Sequence, residues 1–360
     1  MSGPAEFRCM LMRGGTSKGA YFLADDLPTE PTARDELLLR VMGSPDPRQI
    51  DGLGGAHPLT SKVAVVSPSA DPEADVDYLF LQVAVDKAEV SDRQNCGNLL
   101  AGVGPFAVER GLVGAGSSET SVRIRMVNSG DFATATFPTP DGRVDYSGDT
   151  RISGVPGSAA AVVIEFPPRV GELLPTGNVR DTAGGIEVTC VDNGMPTVLI
   201  PAEALGVTGE EDPDDLESNR QLGARLNEIR LVAGQLMGLG DVTDTTVPKL
   251  TLLSPPRHGG AVSTRTFIPA RVHTSIGVLG AASVAAGLRI EGSVAHGIAA
   301  LPEGGDRLRI EHPSGFTDIE SSIDHAPEGG PRARRTAVVR TARKLFDGTV
   351  FPVPPTGGRS

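Results

Sequence analysis

Gln94-Asn95-Cys96-Gly97-Asn98-Leu99-Leu100-Ala101-Gly102-Val103-Gly104-Pro105-Phe106 opens with a thiol among polar turn formers and then becomes small and apolar. The run predicts a helix with Cys96 in its first turn. It is apolar all round, so it lacks the single stripe of a surface helix and reads as a helix enclosed by other elements. Its start gathers backbone N–H groups without intrahelical partners and the positive end of the helix dipole. Such a start binds carboxylates and favours a thiolate. The alternative is a thiol buried only for packing, since free Cys is among the most buried residues. Asn95, Gly97 and Asn98 argue against it, because a core cysteine needs no turn formers on both sides. Pro105 is expected to kink this helix or displace its last turn.

A second stretch has the same character. His273-Thr274-Ser275-Ile276-Gly277-Val278-Leu279-Gly280-Ala281-Ala282-Ser283-Val284-Ala285-Ala286-Gly287 is again a polar turn followed by small apolar residues. The polar loops ahead of the two helices keep step. Ser17 lies 79 residues before Cys96, and Met195 lies 80 before Ser275. The spacing points to an internal duplication. A chain of 360 residues has room for two such domains, each with a core of its own. The break at Leu174-Pro175-Thr176-Gly177-Asn178 places the boundary nearby. The expected domains are 1–183 and 184–335, with 336–360 completing the first.

The rest of the chain reads mainly as strands. Phe7–Met12, Ala20–Leu23, a strand entered at Lys62, Tyr78–Val85, Val122–Val127, Ala133–Phe137 and Ala159–Phe166 fall in the first half. Ile186–Val191, Thr197–Ile200, Lys249–Ser254 and Ala261–Ile268 fall in the second. Asn128-Ser129-Gly130-Asp131 reads as the turn of a hairpin. Thr32–Met42 reads as a helix. Pro213–Met237 reads as a polar loop and one amphipathic helix, with Leu222, Leu226, Ile229 and Val232 three or four apart. The tail beyond Thr349 is rich in Pro and Gly and is expected to be loosely held.

Composition bounds the function. Lys and Arg total 33 against 45 Asp and Glu, a formal charge of −12, which disfavours nucleic acid or an anionic membrane as partner. No apolar run approaches the length of a membrane span, and the N-terminus does not read as a signal peptide. Cys9, Cys96 and Cys190 are odd in number, widely spaced and without a CxxC, so no disulfide framework or structural zinc site is expected. The six histidines show no metal-binding spacing. A reducing cytoplasm fits this pattern.

Two polar loops carry candidate chemistry. Arg13-Gly14-Gly15-Thr16-Ser17-Lys18-Gly19 offers N–H groups, hydroxyls and cations. It lacks the order of a nucleotide phosphate loop and leads into a strand, so it reads as an anion-binding hairpin or a plain turn. Leu59-Thr60-Ser61-Lys62 puts a lysine at the mouth of an apolar strand. Lys is rarely buried without a role, although a lysine at a strand end can also snorkel to water.

Arg13–Gly19, Leu59–Lys62, Gln94–Asn98 and Asp192-Asn193-Gly194-Met195-Pro196 together resemble the PrpF-like isomerases, in particular their 1,3-allylic isomerase branch acting on 4-oxalomesaconate. The resemblance runs from about Arg8 to Gly348. It implies an α+β, diaminopimelate-epimerase-like fold of two similar domains. Each is an antiparallel β-barrel around a central α-helix, with the active site in the cleft between domains. It also implies no metal or organic cofactor, a homodimer, and an oxo acid substrate with two or three carboxylates. Amino-acid epimerases of this fold place a cysteine at each helix start. Here the second start has His273, Thr274 and Ser275 instead, which weakens a two-thiol racemase and makes Lys62 the natural partner of Cys96.

An allylic proton shift needs a base at one carbon, an acid at the other, and donors for the negative charge between them. Lys62 and Cys96 are the catalytic candidates. A lysine base must be neutral, and burial disfavours the ammonium. Thr16, Ser61, Asn95, Gly97, Asn98, Met195 and Gly277 are candidates for holding substrate. Arg13, Ser17, Arg265, His273 and Ser275 are candidate carboxylate grips; each has an ordinary capping or surface role as its alternative. Rival functions are a methylaconitate or methylitaconate isomerase, a non-catalytic accessory to an aconitase-like enzyme, and a thiol-based racemase.

Overall fold

The structure is a computed structural model, and it describes residues 6–167, 172–325 and 330–354. The chain divides into two compact units, 1–165 with 340–360, and 166–339. The division falls between Glu165 and Phe166, ahead of the Leu174–Asn178 break.

In the first unit the strands are β1 (Phe7–Gly14), β2 (Ser17–Leu23), β3 (Lys62–Pro68), β4 (Val76–Val83), β5 (Val90–Ser91), β6 (Glu119–Met126), β7 (Phe132–Pro138) and β8 (Ala161–Phe166). Its helices are α1 (Pro31–Met42) and α2 (Gly97–Glu109). The second unit holds β9 (Asp181–Ala183), β10 (Ile186–Asp192), β11 (Pro196–Pro201), β12 (Lys249–Ser254), β13 (Val262–Ile268), β14 (Arg271–Val272), β15 (Arg307–His312) and β16 (Gly315–His325). It also holds α3 (Pro213–Ser218), α4 (Arg220–Leu236) and α5 (Val278–Arg289). The last strand, β17 (Pro331–Val350), pairs with β16 through residues 331–338 and with β1 through residues 342–350.

The first unit closes on itself. Pairing runs β1–β2–β3–β4–β6–β7–β8–β17 and returns to β1. The hairpin β1–β2 turns at Gly15-Thr16, where Gly15 has φ +50°, in the left-handed region that glycine enters at no steric cost. The barrel is mixed rather than wholly antiparallel: β2–β3 and β4–β6 run parallel. A parallel pair needs a long crossover, and these two crossovers carry α1 and α2.

α2 packs against β1, β2, β3, β4, β6 and β7, and every residue from Leu99 to Ala107 is buried. Glycines set how closely the strands approach it. A Cβ on Gly14 would collide with the Asn98 carbonyl, and one on Gly102 would meet the Tyr21 phenol. The helix continues unbroken through Pro105 to Glu109. α1 covers the outer side of the barrel, where Leu37, Leu38, Val41 and Met42 join a core with Cys9, Phe22, Val63, Leu81 and Val83. With both faces covered, β3 reads as a continuous apolar run.

The second unit repeats this order. β11–β12 and β13–β15 are parallel, and β10–β11, β12–β13, β15–β16 and β16–β17 are antiparallel. α5 packs against β10, β11, β15 and β16 and is buried from Gly280 to Leu288. α4 takes the outer position with Leu222, Leu226, Ile229 and Ala233 against Val188, Cys190, Leu250, Leu252 and Phe267. The amphipathic helix expected within 213–237 is α4, and part of the expected polar loop is the short helix α3; Asn219 separates the two and caps α4 by accepting from Leu222 N at 3.0 Å.

The tail is better held than its composition suggests. Val350 pairs with Phe7, and the Val353 carbonyl accepts from Arg40 at 2.8 Å. Residues 355–360 lie outside the described residues.

Candidate active site

Lys62 is the first residue of β3 and Cys96 is the N-cap of α2. The Lys62 amine donates to Cys96 Sγ at 3.3 Å and to Ser17 Oγ at 3.2 Å. All three are nearly enclosed, at 8, 7 and 1% exposure. The Lys62 amine also lies 5.6 Å from the Phe80 ring centroid. A cation over an aromatic face is attracted by the ring quadrupole. Cys96 keeps extended backbone, and its thiol makes no capping bond to the helix. Sγ is therefore left to Lys62, while the first-turn amides of α2 remain without intrahelical acceptors. A Cβ added to Gly97 would meet nothing within 4 Å, so the helix mouth there is open.

The other thiols have no such setting. Cys9 and Cys190 are fully buried, and burial pushes each up to about 12, with the neighbouring Asp181 carboxylate adding to it at Cys190. All three cysteines are unpaired. Among the described residues no three His, Cys, Asp or Glu side chains cluster as metal ligands, and no helix is long and apolar enough to cross a membrane.

Several side chains absent from the sequence candidates fix this pair. Tyr78 donates to the Cys96 carbonyl at 3.2 Å and Tyr21 to the Leu99 carbonyl at 2.6 Å. Burial, then the charge an ionised Cys96 would carry, holds both phenols well above the usual tyrosine range, so they stay donors. Asn128 spans two supports at once. Its Oδ1 accepts from Phe80 N at 2.8 Å, and its Nδ2 donates to the Phe80 carbonyl at 2.9 Å and the Asp92 carbonyl at 2.7 Å. Phe80 backs Lys62, and Asp92 leads into the turn before Cys96.

Of the first-unit candidates, Asn98 donates to Thr16 Oγ1 at 3.0 Å and so ties α2 to the β1–β2 turn. Asn95 donates to Ser129 Oγ at 2.6 Å. Ser61 is spent elsewhere: its hydroxyl accepts from the buried Gln49 amide at 2.7 Å. Arg13 gives one guanidinium nitrogen to the Gly15 and Thr341 carbonyls and the Thr341 hydroxyl, at 2.9–3.0 Å.

In the second unit, Met195 presents its carbonyl to Ser283 Oγ of α5 at 2.7 Å. Gly194, at φ +102°, makes that turn possible. The His273 ring accepts from Ser275 N at 2.9 Å through Nδ1, and Ser275 Oγ lies 3.2 Å from His312 Nε2. His312 was not a sequence candidate. A Cβ on Gly277, the N-cap of α5, would meet only open space. Arg265 is not brought to this group. It alternates with Thr266 along β13, so it faces the other way, and it clamps the Glu210, Glu211 and Thr264 carbonyls at 2.9–3.0 Å.

A lysine and a thiol in hydrogen-bond contact at a helix start are able to exchange a proton, and residues 5–353 match the family described as PrpF protein. The chain belongs to the PrpF family. A 4-oxalomesaconate tautomerase of Pseudomonas putida is 58% identical over 97% of this chain and 96% of its own. A (4E)-oxalomesaconate Delta-isomerase of Novosphingobium sp. is 57% identical over 95% and 96%. A solved methylitaconate-delta-isomerase superposes with a TM-score of 0.85 at 33% identity, covering all of both chains. This PrpF-family chain is an isomerase of the α+β, epimerase-like barrel fold.

Proposed function

We propose that the enzyme moves a proton between the ends of an allylic unit in 4-oxalomesaconate, with Lys62 and Cys96 as the acid–base pair and no metal or organic cofactor. The 3.3 Å contact between Lys62 Nζ and Cys96 Sγ carries the reading. Neutral Lys62 takes a proton from one carbon and leaves a dienolate. The Cys96 thiol gives its proton to the carbon two bonds away. The ammonium then returns a proton to the thiolate across their shared hydrogen bond, which restores the starting pair. First-turn amides of α2 offer donors to oxygen-centred charge, the role of an oxyanion hole. Ser17, Thr16, Asn98, His273 and Ser275 are the binding residues of this reading. The names of the relatives favour the substrate. We further propose, on the family resemblance, a cytoplasmic homodimer serving protocatechuate or gallate catabolism.

Incubation with 4-oxalomesaconate in deuterated water tests the proposal. Isomerisation with deuterium entering the carbon skeleton is expected. Neither turnover nor exchange would end it. The likeness to a methylitaconate isomerase favours a second reading, and side-by-side turnover of the two acids decides between them.

A further inference from the structure

The second unit holds two hydrogen-bond donors on one face of its sheet with no acceptor for either. Lys249 and Thr251 share a face of β12, because strand side chains alternate. Thr251 pairs across the sheet with Thr266 of β13, their hydroxyls 3.0 Å apart. Beyond Thr266 the β13–β14 pairing continues: His273 N donates to the Thr266 carbonyl at 2.8 Å, which carries His273 to the same face. Among the described residues Lys249 Nζ has no acceptor, and neither has His273 Nε2. Since Nδ1 accepts from Ser275 N, the proton of the neutral ring sits on Nε2. Burial, then the charge of Lys249, holds His273 below the usual imidazole range, which keeps the ring neutral and sets the two groups within each other's field.

The place of Lys249 in the fold sharpens the point. β3 runs parallel to β2 of the β1–β2 hairpin and β12 runs parallel to β11 of the β10–β11 hairpin, and each of these two strands opens on a lysine. Lys62 is in register with Gly19, and Lys249 with Thr197. Lys62 spends its amine on Ser17 and Cys96. Lys249 meets no thiol and no hydroxyl, so the duplicated lysine is free for an external anion.

We propose that Lys249 and His273 form a carboxylate-binding station, each donating to an oxygen of one carboxylate of the substrate, and that this station helps select acids with several carboxylates. The station rests on the reading of the substrate as an oxo tricarboxylate. Citrate, which has the carboxylates but no allylic unit to shift, tests it without turnover. Citrate titrated into the full chain, with the histidine ring nitrogens followed by NMR, is expected to move the His273 signal saturably. Lys249→Met should weaken citrate by about tenfold or more, the scale of a lost charged hydrogen bond. Lys249→Arg should restore most of it, and Lys249→Gln repeats the loss with a polar side chain should Lys249→Met melt early. With 4-oxalomesaconate, the KM of Lys249→Met should rise by a similar factor while kcat holds. An unmoved His273 signal, or citrate affinity in the folded Lys249→Met and Lys249→Gln variants equal to that of wild type, overturns the station. Citrate binding that depends on Lys249 in an enzyme that isomerises no such acid would instead end the functional reading and leave the station standing.

Discussion

The starts of α2 and α5 occupy the same place in two copies of one topology, and they hold different chemistry. At α2 a lysine and a cysteine are bonded to each other. At α5 a histidine, a serine and a second buried histidine form a chain of hydrogen bonds. Both hairpin turns are tied to their helix, by Asn98 to Thr16 in one unit and by Ser283 to Met195 in the other. The scaffold therefore sets where polar groups gather, and the identity of a few side chains sets what they can do. On the proposed reading the first unit moves protons and the second binds.

That division can be broken most directly at the pair itself. Lys62→Met and Cys96→Ala should each lower kcat by roughly 10²–10⁴-fold, the usual worth of a positioned acid or base. Ser275→Ala should act mainly on KM. Equal kcat losses in all three would erase the distinction between the units. Deuterium exchange at individual carbons of the substrate sharpens it further, since Lys62→Met and Cys96→Ala should silence different carbons.

Next in size is the support beneath the pair. Asn128→Ala strips three bonds from Phe80 and Asp92 and leaves the partly buried Phe80 backbone groups unpaired, at about 1–3 kcal/mol, while the exposed Asp92 carbonyl turns to water. Denaturant unfolding should show that loss, and turnover should fall with it although Asn128 touches neither Lys62 nor Cys96 in a hydrogen bond. Unchanged stability would show that the bridge does not matter.

Glycines separate packing from site. Gly14→Ala pushes a methyl group into the Asn98 carbonyl and should destabilise the barrel. Gly97→Ala and Gly277→Ala meet open space and should leave the melting temperature nearly unchanged. An effect of either on KM then reports the occupied volume at a helix mouth rather than damage to the fold.

The smallest expected effect is on pH-dependent stability. Burial raises the Asp318 carboxyl, but its bonds to Arg309 and Arg307 outweigh this and hold it below the usual carboxylate range. A depressed folded-state value stabilises the protein above the unfolded carboxyl's range and is lost as pH falls through the folded value. Acid unfolding of wild type should steepen below about pH 4. Asp318→Asn should flatten that slope, and an unaltered slope would show that the buried Asp318 carboxylate is not what acid breaks.

Much of this was legible in the residues because it is local. Alternating apolar residues gave most strands near their observed ends. Small residues around all sides of two stretches announced helices enclosed by strands, and the near-equal loop-to-helix spacings announced the duplication. Cys96 stood out because its polar neighbours do not suit a packing role. The short strands β5, β9 and β14 escaped notice because so brief a pairing leaves no periodicity, and β15, β16 and β17 because charged and polar residues run through them. Arg265 looked available because nothing near it in the chain shows that the Glu210 and Glu211 carbonyls return to meet it. Asn128, Gln49 and His312 went unseen for the same reason: each acts on residues far along the chain or through a hydroxyl that sequence cannot orient.

The sequence by itself determined the family, the duplicated plan, and a thiol and a lysine with no packing reason to be where they are, since motif, period and composition are properties of neighbours in the chain. Tertiary structure alone decided that Lys62 and Cys96 touch, that Ser61 and Arg13 are already engaged, and that Lys249 shares a sheet face with His273. Those facts depend on register between strands distant in the chain, and a shift of one residue would turn every such side chain to the other face.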